Sequence, residues 1–342
     1  METELKKICV IYTGGTIGSA VNAGFVSLDS NCIGLLTNEY IKKHGINKCD
    51  VSFEELTPFS MLSENIQPEN IELLKNTVND VLSGDCDGII ITHGTDTQCF
   101  TENLFSQIFS NISKPIVFVS ALLPLSDPNT NGFLNFDGAV AFIKENIPGV
   151  FVSFANDNCP CNIHLASRVC EPIQLTGFLY SIENLYFGTI IDDRFVYHNI
   201  KRNPSVEEIR NHKVTCDLCE PDSDILVIHS RGLLNYRMYD LDHVKPKAVI
   251  IELFHSGTAC TSGSIFNAVD FAAKCNDRNI PVILGPVDSK ANVYSSVDAL
   301  NGKCIFAEDM CFEMIVTKVM LALGSGKCID EVLKTNYFFE KL

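Results

Sequence analysis

The chain has 342 residues, of which 46% are apolar and 20% charged, with 21 Gly and 13 Pro. This is the composition of a globular protein long enough for about two domains of ~150 residues, and it excludes a disordered or collagen-like chain. A formal net charge of -16 repels phosphate backbones and anionic lipid surfaces, so neither a nucleic acid nor a membrane is expected as a partner.

Short apolar runs typical of buried strands alternate with segments of helical spacing along the first half of the chain. The pattern predicts strands at 8–12, 88–92, 115–120 and 149–154, and helices at 71–82, 103–112 and 138–145. Repetition of strand, helix and strand favours a parallel sheet with right-handed crossovers and helices on both faces.

A polar, charged segment that carries Pro204 and Pro221 interrupts this alternation and contains one short predicted helix at 206–211. Strands are then predicted at 225–228, 248–253 and 281–284, and helices at 264–275 and 313–323. We therefore predict an N-terminal domain over 1–195, a linker over 196–222 and a C-terminal domain over 223–342.

Fifteen cysteines are scattered through apolar stretches, and an odd number cannot pair completely within one chain. Reduced thiols used as small core residues are the favoured interpretation. The pair Cys159 and Cys161 lacks the two-residue gap of zinc sites, so no metal is predicted. The N-terminus lacks the features of a secretory signal, and residues 8–28 are too polar to span lipid, so a cytoplasmic, reducing location is expected.

Two unusual loops follow predicted strands, where ligands bind in open parallel sheets. The first is Thr-Gly-Gly-Thr-Ile-Gly at 13–18. Thr13 occupies the place of the first glycine of a dinucleotide motif, and no P-loop lysine follows, so no nucleotide cofactor is predicted. Thr16 is then a candidate nucleophile, which needs a base or a cation nearby.

The second loop, Thr-His-Gly-Thr-Asp-Thr at 92–97, places hydroxyls, an imidazole and a carboxylate at a strand end. Taken alone, Thr95 or Asp96 is most simply interpreted as the N-cap of the next helix. Taken together, the two loops resemble those of the L-asparaginase family, of the asparaginase/glutaminase type and closest to its cytosolic type I branch. The resemblance covers essentially the whole chain.

This resemblance implies an α/β fold with a larger N-terminal domain around a parallel or mixed sheet and a smaller flavodoxin-like C-terminal domain. It implies an amidohydrolase that converts the small-molecule substrate asparagine to aspartate and ammonia through a threonine acyl-enzyme. It further implies that no cofactor is used and that the protein is a homodimer or homotetramer.

Residue by residue, Thr16 resembles the family's primary nucleophile and Thr95 its second catalytic threonine. Asp96 resembles the carboxylate that holds the substrate's α-ammonium group. Ser63 is similar to the serine that binds the α-carboxylate, and Glu64 lies beside it on the ammonium side. An amino-acid substrate needs opposite charges at its two ends, so this set is chemically coherent.

Amide cleavage also needs an oxyanion site, for which Gly15 and the loop around Thr95 are the candidates. In the second domain, the segment around His255, Ser256 and Thr258 matches a loop that reaches the neighbour's active site in family dimers. Ser256 and Thr258 are therefore expected to contact the substrate across an interface. The simpler interpretation of His255 is a turn residue whose hydrogen bonds are satisfied locally and which does not reach the neighbour's site.

The sequence departs from the family at two catalytic positions. Phe25 stands where the family has a tyrosine that assists the nucleophile, and Tyr12 precedes the first loop and is expected to point elsewhere. Alignment of Ser167 and Arg168 with the family's Thr-Lys pair replaces the catalytic lysine by arginine. Arginine stays protonated and cannot act as a base, although it can stabilise negative charge. The alternative is that Arg168 is a surface cation.

A third departure is the change of the family's Ser-Asp-Gly stretch to Thr-Asn-Gly at 130–132 and of a polar entry to apolar residues at 121–125. Three functions stay open on this basis. They are an amidohydrolase, with normal or altered substrate preference; an amino-acid-binding relative without turnover; and an amidotransferase subunit for misacylated tRNA. The last is ranked low because the net charge offers no RNA-facing surface.

Overall fold

The computed structural model describes residues 5–22, 24–45, 49–218, 220–291 and 294–342. The chain forms two compact units. Unit 1 comprises Met1–Cys216 with Tyr337–Phe339, and unit 2 comprises Asp217–Asn336 with Glu340–Leu342. Within the described residues all fourteen cysteines are free thiols, and no helix is both long and apolar enough to cross a bilayer.

Unit 1 is built around an eight-stranded mixed sheet. The strands of unit 1, inside and outside this sheet, are β1 (Lys6–Tyr12), β2 (Ser19–Asn22), β3 (Phe25–Leu28), β4 (Val51–Leu56), β5 (Gly88–Thr92), β6 (Pro115–Val119), β7 (Gly149–Phe154), β8 (Asn162–Leu165), β9 (Val169–Ile173), β10 (Phe178–Ser181), β11 (Gly188–Ile191) and β12 (Arg194–Tyr197). The large sheet has the order β12-β11-β8-β7-β6-β5-β1-β4, and β2-β3 and β9-β10 are separate pairs. Strands β4, β1, β5, β6 and β7 are parallel, whereas β7, β8, β11 and β12 pair antiparallel.

The helices of unit 1 are α1 (Leu35–His44), α2 (Pro68–Ser83), α3 (Thr95–Ile108), α4 (Gly132–Ile143) and α5 (Val206–Arg210). Helix α2 begins where Pro68 fits its first position and where Gln67 and Asn70 cap the helix end reciprocally. Phe136 and Phe142 of α4 pack with Phe151 of β7 in the main core.

Helix α3 begins eight residues before the predicted start at 103. The reason is that its buried side chains include Gln98, Glu102, Asn103 and Gln107, so its buried face is polar and the apolar periodicity that marks a helix is hidden. The strands predicted at 8–12, 88–92 and 149–154 are confirmed.

Unit 2 has a four-stranded parallel sheet of β13 (Ile225–His229), β14 (Ala248–Glu252), β15 (Val282–Val287) and β16 (Ile305–Glu308), paired in sequence order. Its helices are α6 (Ala268–Asn276), α7 (Ser295–Asp298), α8 (Phe312–Gly324) and α9 (Ile329–Lys334). Ile251, Phe271 and Leu284 lie in its own apolar core. A larger mixed sheet and a smaller parallel sheet confirm the predicted α/β class.

Candidate active site

The first loop leaves the carboxyl end of β1 and is fixed from two sides. The Thr13 hydroxyl donates to the backbone oxygen of Thr92, at the end of β5, over 2.6 Å. Gly14 forms a parallel bridge with Met61, and the Gly15 N–H donates to the Met61 oxygen over 2.9 Å. The loop is therefore held between β5 and the segment that precedes Ser63.

The first and second loops touch through two glycines. Gly15 has φ of +75°, and a Cβ placed on it lies 2.4 Å from the Gly94 Cα. No side chain fits between these two backbones, and an L-residue is strained at that φ. Because Thr16 follows Gly15 and Thr95 follows Gly94, this contact brings both predicted catalytic threonines to one place.

Ser63 joins them from a third segment, a 3₁₀ turn at Ser63–Asn65. A Cβ on Gly94 falls 2.4 Å from the Ser63 Oγ, and the Thr97 hydroxyl donates to the Ser63 backbone oxygen over 3.0 Å. The Ser63 Oγ is buried and has no hydrogen-bond partner in the described part of the chain. Such a hydroxyl is suited to donate to a bound acceptor. Glu64 follows it and is exposed.

The start of α3 supplies the charged part of the site. Gly94 is the N-cap residue and makes no side-chain cap, so the interpretation of Thr95 or Asp96 as the N-cap is wrong. Thr95 and Asp96 instead occupy the first turn, where backbone N–H groups have no partner within the helix. The exposed Asp96 carboxylate lies at the positive end of the helix dipole.

The His93 side chain stabilises the start of α3. Its ring is buried, and burial lowers its pKa to about 4, so it is neutral at neutral pH. Since its Nδ1 lies 2.9 Å from the Gly94 carbonyl oxygen, which only accepts, Nδ1 carries the proton. His93 thus holds the peptide that precedes Thr95.

Gly15 does not offer a free donor. Its N–H is used by Met61, and its carbonyl accepts from the Ser19 hydroxyl over 2.8 Å and from the Gly18 N–H. The expectation that Gly15 donates to an oxyanion is therefore corrected: it holds the loop closed, and the open donors are those of the first turn of α3.

Neither tyrosine position supplies a phenol to the loop. The Tyr12 hydroxyl lies 3.2 Å from the Glu55 carboxylate and accepts from the Gly34 N–H over 3.3 Å. Burial and, secondarily, the Glu55 charge raise the Tyr12 pKa. Phe25 lies on the β2-β3 hairpin and is 75% exposed.

Arg168 is buried at 2% exposure, so the interpretation as a surface cation is wrong. Its Nε donates to the Phe339 oxygen over 2.6 Å and its Nη1 to the Arg202 oxygen over 2.8 Å. The adjacent Val169 oxygen accepts from Asn103, eight residues and about 12 Å along α3 from Thr95. Arg168 therefore does not lie at the threonine loops. Its side chain instead anchors the C-terminal segment.

Replacement of Arg168 is therefore expected to change stability more than turnover. Arg168→Ala leaves the Phe339 and Arg202 carbonyls without the charged donor that Arg168 supplies, so the free energy of unfolding should fall by about 3 kcal/mol. Urea unfolding and the specific activity of the folded protein, compared with Arg168→Lys, check this. A loss of turnover at unchanged stability, restored by Lys, contradicts it and returns Arg168 to a catalytic role.

The predicted interface residues belong to unit 2. Ser256 and Thr258 lie in the loop after β14, with their hydroxyl oxygens 3.0 Å apart, and the Phe254 N–H donates to the Thr258 oxygen over 2.9 Å. His255 lies in the same turn. Their contact with a neighbour's substrate stays a prediction.

The β9-β10 hairpin is part of the site, although no sequence pattern indicated it. Together with Thr95 and Asp96, this hairpin lines a cavity of about 440 Å³ within unit 1. Glu171 and Gln174 are polar residues of this wall. No motif marks these positions, and only their place in the fold identifies them.

The mixed sheet and the converging threonine loops define an α/β protein with an amidohydrolase-like site. Residues 7–185 match the family described as Asparaginase, N-terminal. This chain belongs to the asparaginase family.

Similar proteins include an L-asparaginase from Thermococcus kodakarensis, 27% identical over 96% of both chains. A solved structure of the thermostable L-asparaginase from that organism covers 98% of this chain and 99% of its own, with a TM-score of 0.79 and 26% identity. One component of the glutamyl-tRNA(Gln) amidotransferase from Methanosphaera stadtmanae is 30% identical over 97% of this chain and 76% of its own. L-asparaginase I from Vibrio cholerae, at 20% identity and a TM-score of 0.75, shares the fold.

Proposed function

We propose that the protein is an amidohydrolase that cleaves the side-chain amide of L-asparagine to L-aspartate and ammonia. The observation that carries this proposal is the convergence of Thr16, Ser63, Thr95 and Asp96 through the Gly15–Gly94 and Gly94–Ser63 contacts. Three separate segments supply hydroxyls and a carboxylate to one place, as a small zwitterionic amide requires.

In this proposal the two charged ends of the substrate are bound by groups of complementary character: a carboxylate for the ammonium group and a hydrogen-bond donor for the carboxylate. Asp96 binds the α-ammonium group, with Glu64 on the same side. The Ser63 hydroxyl, buried and without a partner in the described residues, donates to the α-carboxylate. The amide carbon then faces Thr16 and Thr95.

The Thr16 hydroxyl oxygen attacks the amide carbon, and the N–H groups of the first turn of α3 stabilise the negative oxygen. Collapse of this intermediate breaks the C–N bond, and the nitrogen takes the proton that the Thr16 hydroxyl gives up and leaves as ammonia. Water then hydrolyses the threonine ester, which releases aspartate and regenerates the hydroxyl.

A second candidate is an amino-acid-binding member of the family without turnover. The favouring observation is that Tyr12 faces Glu55, Phe25 is exposed and Arg168 bonds to carbonyls of the C-terminal segment. None of these three supplies a proton acceptor beside Thr16. An amidotransferase role is disfavoured by the net charge of -16. In either case we propose a homo-oligomer in which Ser256 and Thr258 face the neighbour's substrate.

Turnover separates the two candidates. We expect the purified full chain to release ammonia and aspartate in equal amounts from L-asparagine, measured beside L-glutamine and short β-aspartyl amides. Thermal stabilisation by L-asparagine with no ammonia release overturns the hydrolase and supports the binding protein.

Asp96→Asn tests the ammonium contact. Loss of the charge should weaken L-asparagine binding by about 1–3 kcal/mol, because one charge-assisted contact is left half-made. Calorimetry in a Thr16→Ala background measures it without turnover. Asp80→Asn, an exposed carboxylate in α2, is the matched control. Equal affinity of the two variants contradicts the assignment of Asp96.

A further inference from the structure

The cavity beside Thr95 and Asp96 has mostly apolar walls. Phe154 and Leu179 are fully buried in its lining, at 0% and 1% exposure. Ile173 and Leu175 line it while 50% exposed and fully exposed to solvent, respectively. Leucine and isoleucine side chains left open around a concave volume are typical of a ligand groove.

This cavity is built by specific contacts. The Asn131 side chain accepts from the Leu122 N–H over 2.9 Å and donates to the Ala155 oxygen over 2.9 Å. A Cβ on Gly177 falls 2.6 Å from Leu122 Cδ2, so the hairpin tip rests on the Leu122 side chain. Leu122 is thereby held as a wall between β7 and the hairpin.

The opposite side is fixed by a second asparagine. The buried Asn156 side chain accepts from the Leu179 N–H over 3.0 Å and donates to the Leu179 oxygen over 2.9 Å. This pair of bonds holds β10 against the end of β7. At about 440 Å³, the cavity is within the size range of small-molecule sites.

We propose that this cavity is a subsite for an apolar substituent on the amide nitrogen, so that N4-alkyl asparagines bind better than asparagine itself. The inference rests on the proposed function, in which Asp96 needs a free ammonium group and Ser63 a free carboxylate. Of the three polar ends of asparagine, only the amide is then left to carry a substituent. The cavity is lined by Thr95 and Asp96 but not by Ser63, which places it away from the carboxylate end.

The reaction of such a substrate balances as for asparagine. The Thr16 oxygen takes the aspartyl group, the C–N bond breaks, and an apolar primary amine leaves with the proton of the Thr16 hydroxyl, in place of ammonia. Water then releases L-aspartate.

The exposed Glu171 and Gln174 also line the cavity, so polar side chains lie beside its apolar walls.

Binding is tested by calorimetry with the Thr16→Ala full chain and three ligands: L-asparagine, N4-propyl-L-asparagine and N4-(2-hydroxyethyl)-L-asparagine. The last two have equal numbers of non-hydrogen atoms. We expect the propyl compound to bind at least about tenfold more tightly than L-asparagine, and the hydroxyethyl compound to lose most of that gain. A propyl preference below about twofold overturns the subsite.

Leu122→Gln and the exposed Ile173→Gln, each in the Thr16→Ala background, should reduce the propyl preference about tenfold. The matched control is Leu123→Gln, because Leu123 neighbours Leu122 but does not line the cavity. An equal loss in the control overturns the assignment of the walls.

Turnover by the wild-type chain separates this inference from the proposed function. If the wild-type chain releases aspartate from L-asparagine but binding shows no propyl preference, the proposed hydrolase activity stands and the subsite is overturned. If binding shows a propyl preference but no ligand is turned over, the hydrolase activity is overturned and the subsite stands. Absence of binding by all three ligands overturns both.

Discussion

Thr16→Ala should lower kcat for amide hydrolysis by at least ~10³-fold, because it removes the hydroxyl that forms the acyl-enzyme. The side chain is half-buried at the start of a 3₁₀ turn, so its loss should change the free energy of unfolding by only about 1 kcal/mol. Ammonia release and urea unfolding, measured on the same preparation, check both statements.

Thr16→Ser is the matched variant, since it keeps a hydroxyl at the same position. It should retain measurable turnover while Thr16→Ala does not. Full turnover in Thr16→Ala eliminates this nucleophile, and Thr95 is then the next hydroxyl to replace.

The second large expected effect is a loss of stability when a buried ion pair of unit 2 is broken. Lys318 of α8 is completely buried, and its Nζ lies 2.7 Å from the Glu340 carboxylate, which is also fully buried. The same ammonium donates to the Val332 oxygen of α9 over 3.1 Å and to the Thr335 oxygen. One cation thus joins α8, α9 and the C-terminal segment of unit 2.

Lys318→Met should lower the free energy of unfolding by about 3–5 kcal/mol, because it leaves the buried Glu340 carboxylate without its cation. Lys318→Met with Glu340→Leu should recover most of that loss, since no buried charge is then left unpaired. Urea unfolding of the single and double variants measures the difference.

An exposed ion pair gives the control. Lys334 and Asp330 lie 2.5 Å apart with side chains 73% and 42% exposed, so Lys334→Met should cost less than about 1 kcal/mol. Equal losses for Lys318→Met and Lys334→Met contradict the role of the buried pair.

The parts of the site predicted from sequence are those in which chemistry and position lie within one short segment. Thr16 and Asp96 each lie in a loop directly after an apolar strand, and parallel strands bring such loops to one edge of a sheet. Their convergence follows from the strand pattern, and the structure adds the Gly15–Gly94 contact that fixes it.

Features that depend on distant partners could not be predicted in this way. Arg168 bonds to carbonyls 34 and 171 positions away in the chain, and no local pattern specifies such partners. The Gly15 N–H looked available because its acceptor, Met61, lies in another segment.

Helix α3 shows a second limit of prediction from sequence, since polar residues on its buried face hide the apolar pattern that would mark its first two turns. The apolar cavity shows a third limit of such prediction. Leu122 and Leu179 lie in separate segments, and the two asparagine clamps that place them beside Thr95 are contacts of the folded chain.

In the proposed reaction, Thr16 carries the acyl group during amide hydrolysis. The most direct measurement is the mass of the Thr16-containing peptide from enzyme quenched in acid during turnover of L-asparagine. We predict that this peptide gains one β-aspartyl group in the wild-type chain and gains nothing in Thr16→Ala. An aspartyl group found on the Thr95 or Ser63 peptide instead, with the Thr16 peptide unmodified, contradicts the role of Thr16 as the nucleophile.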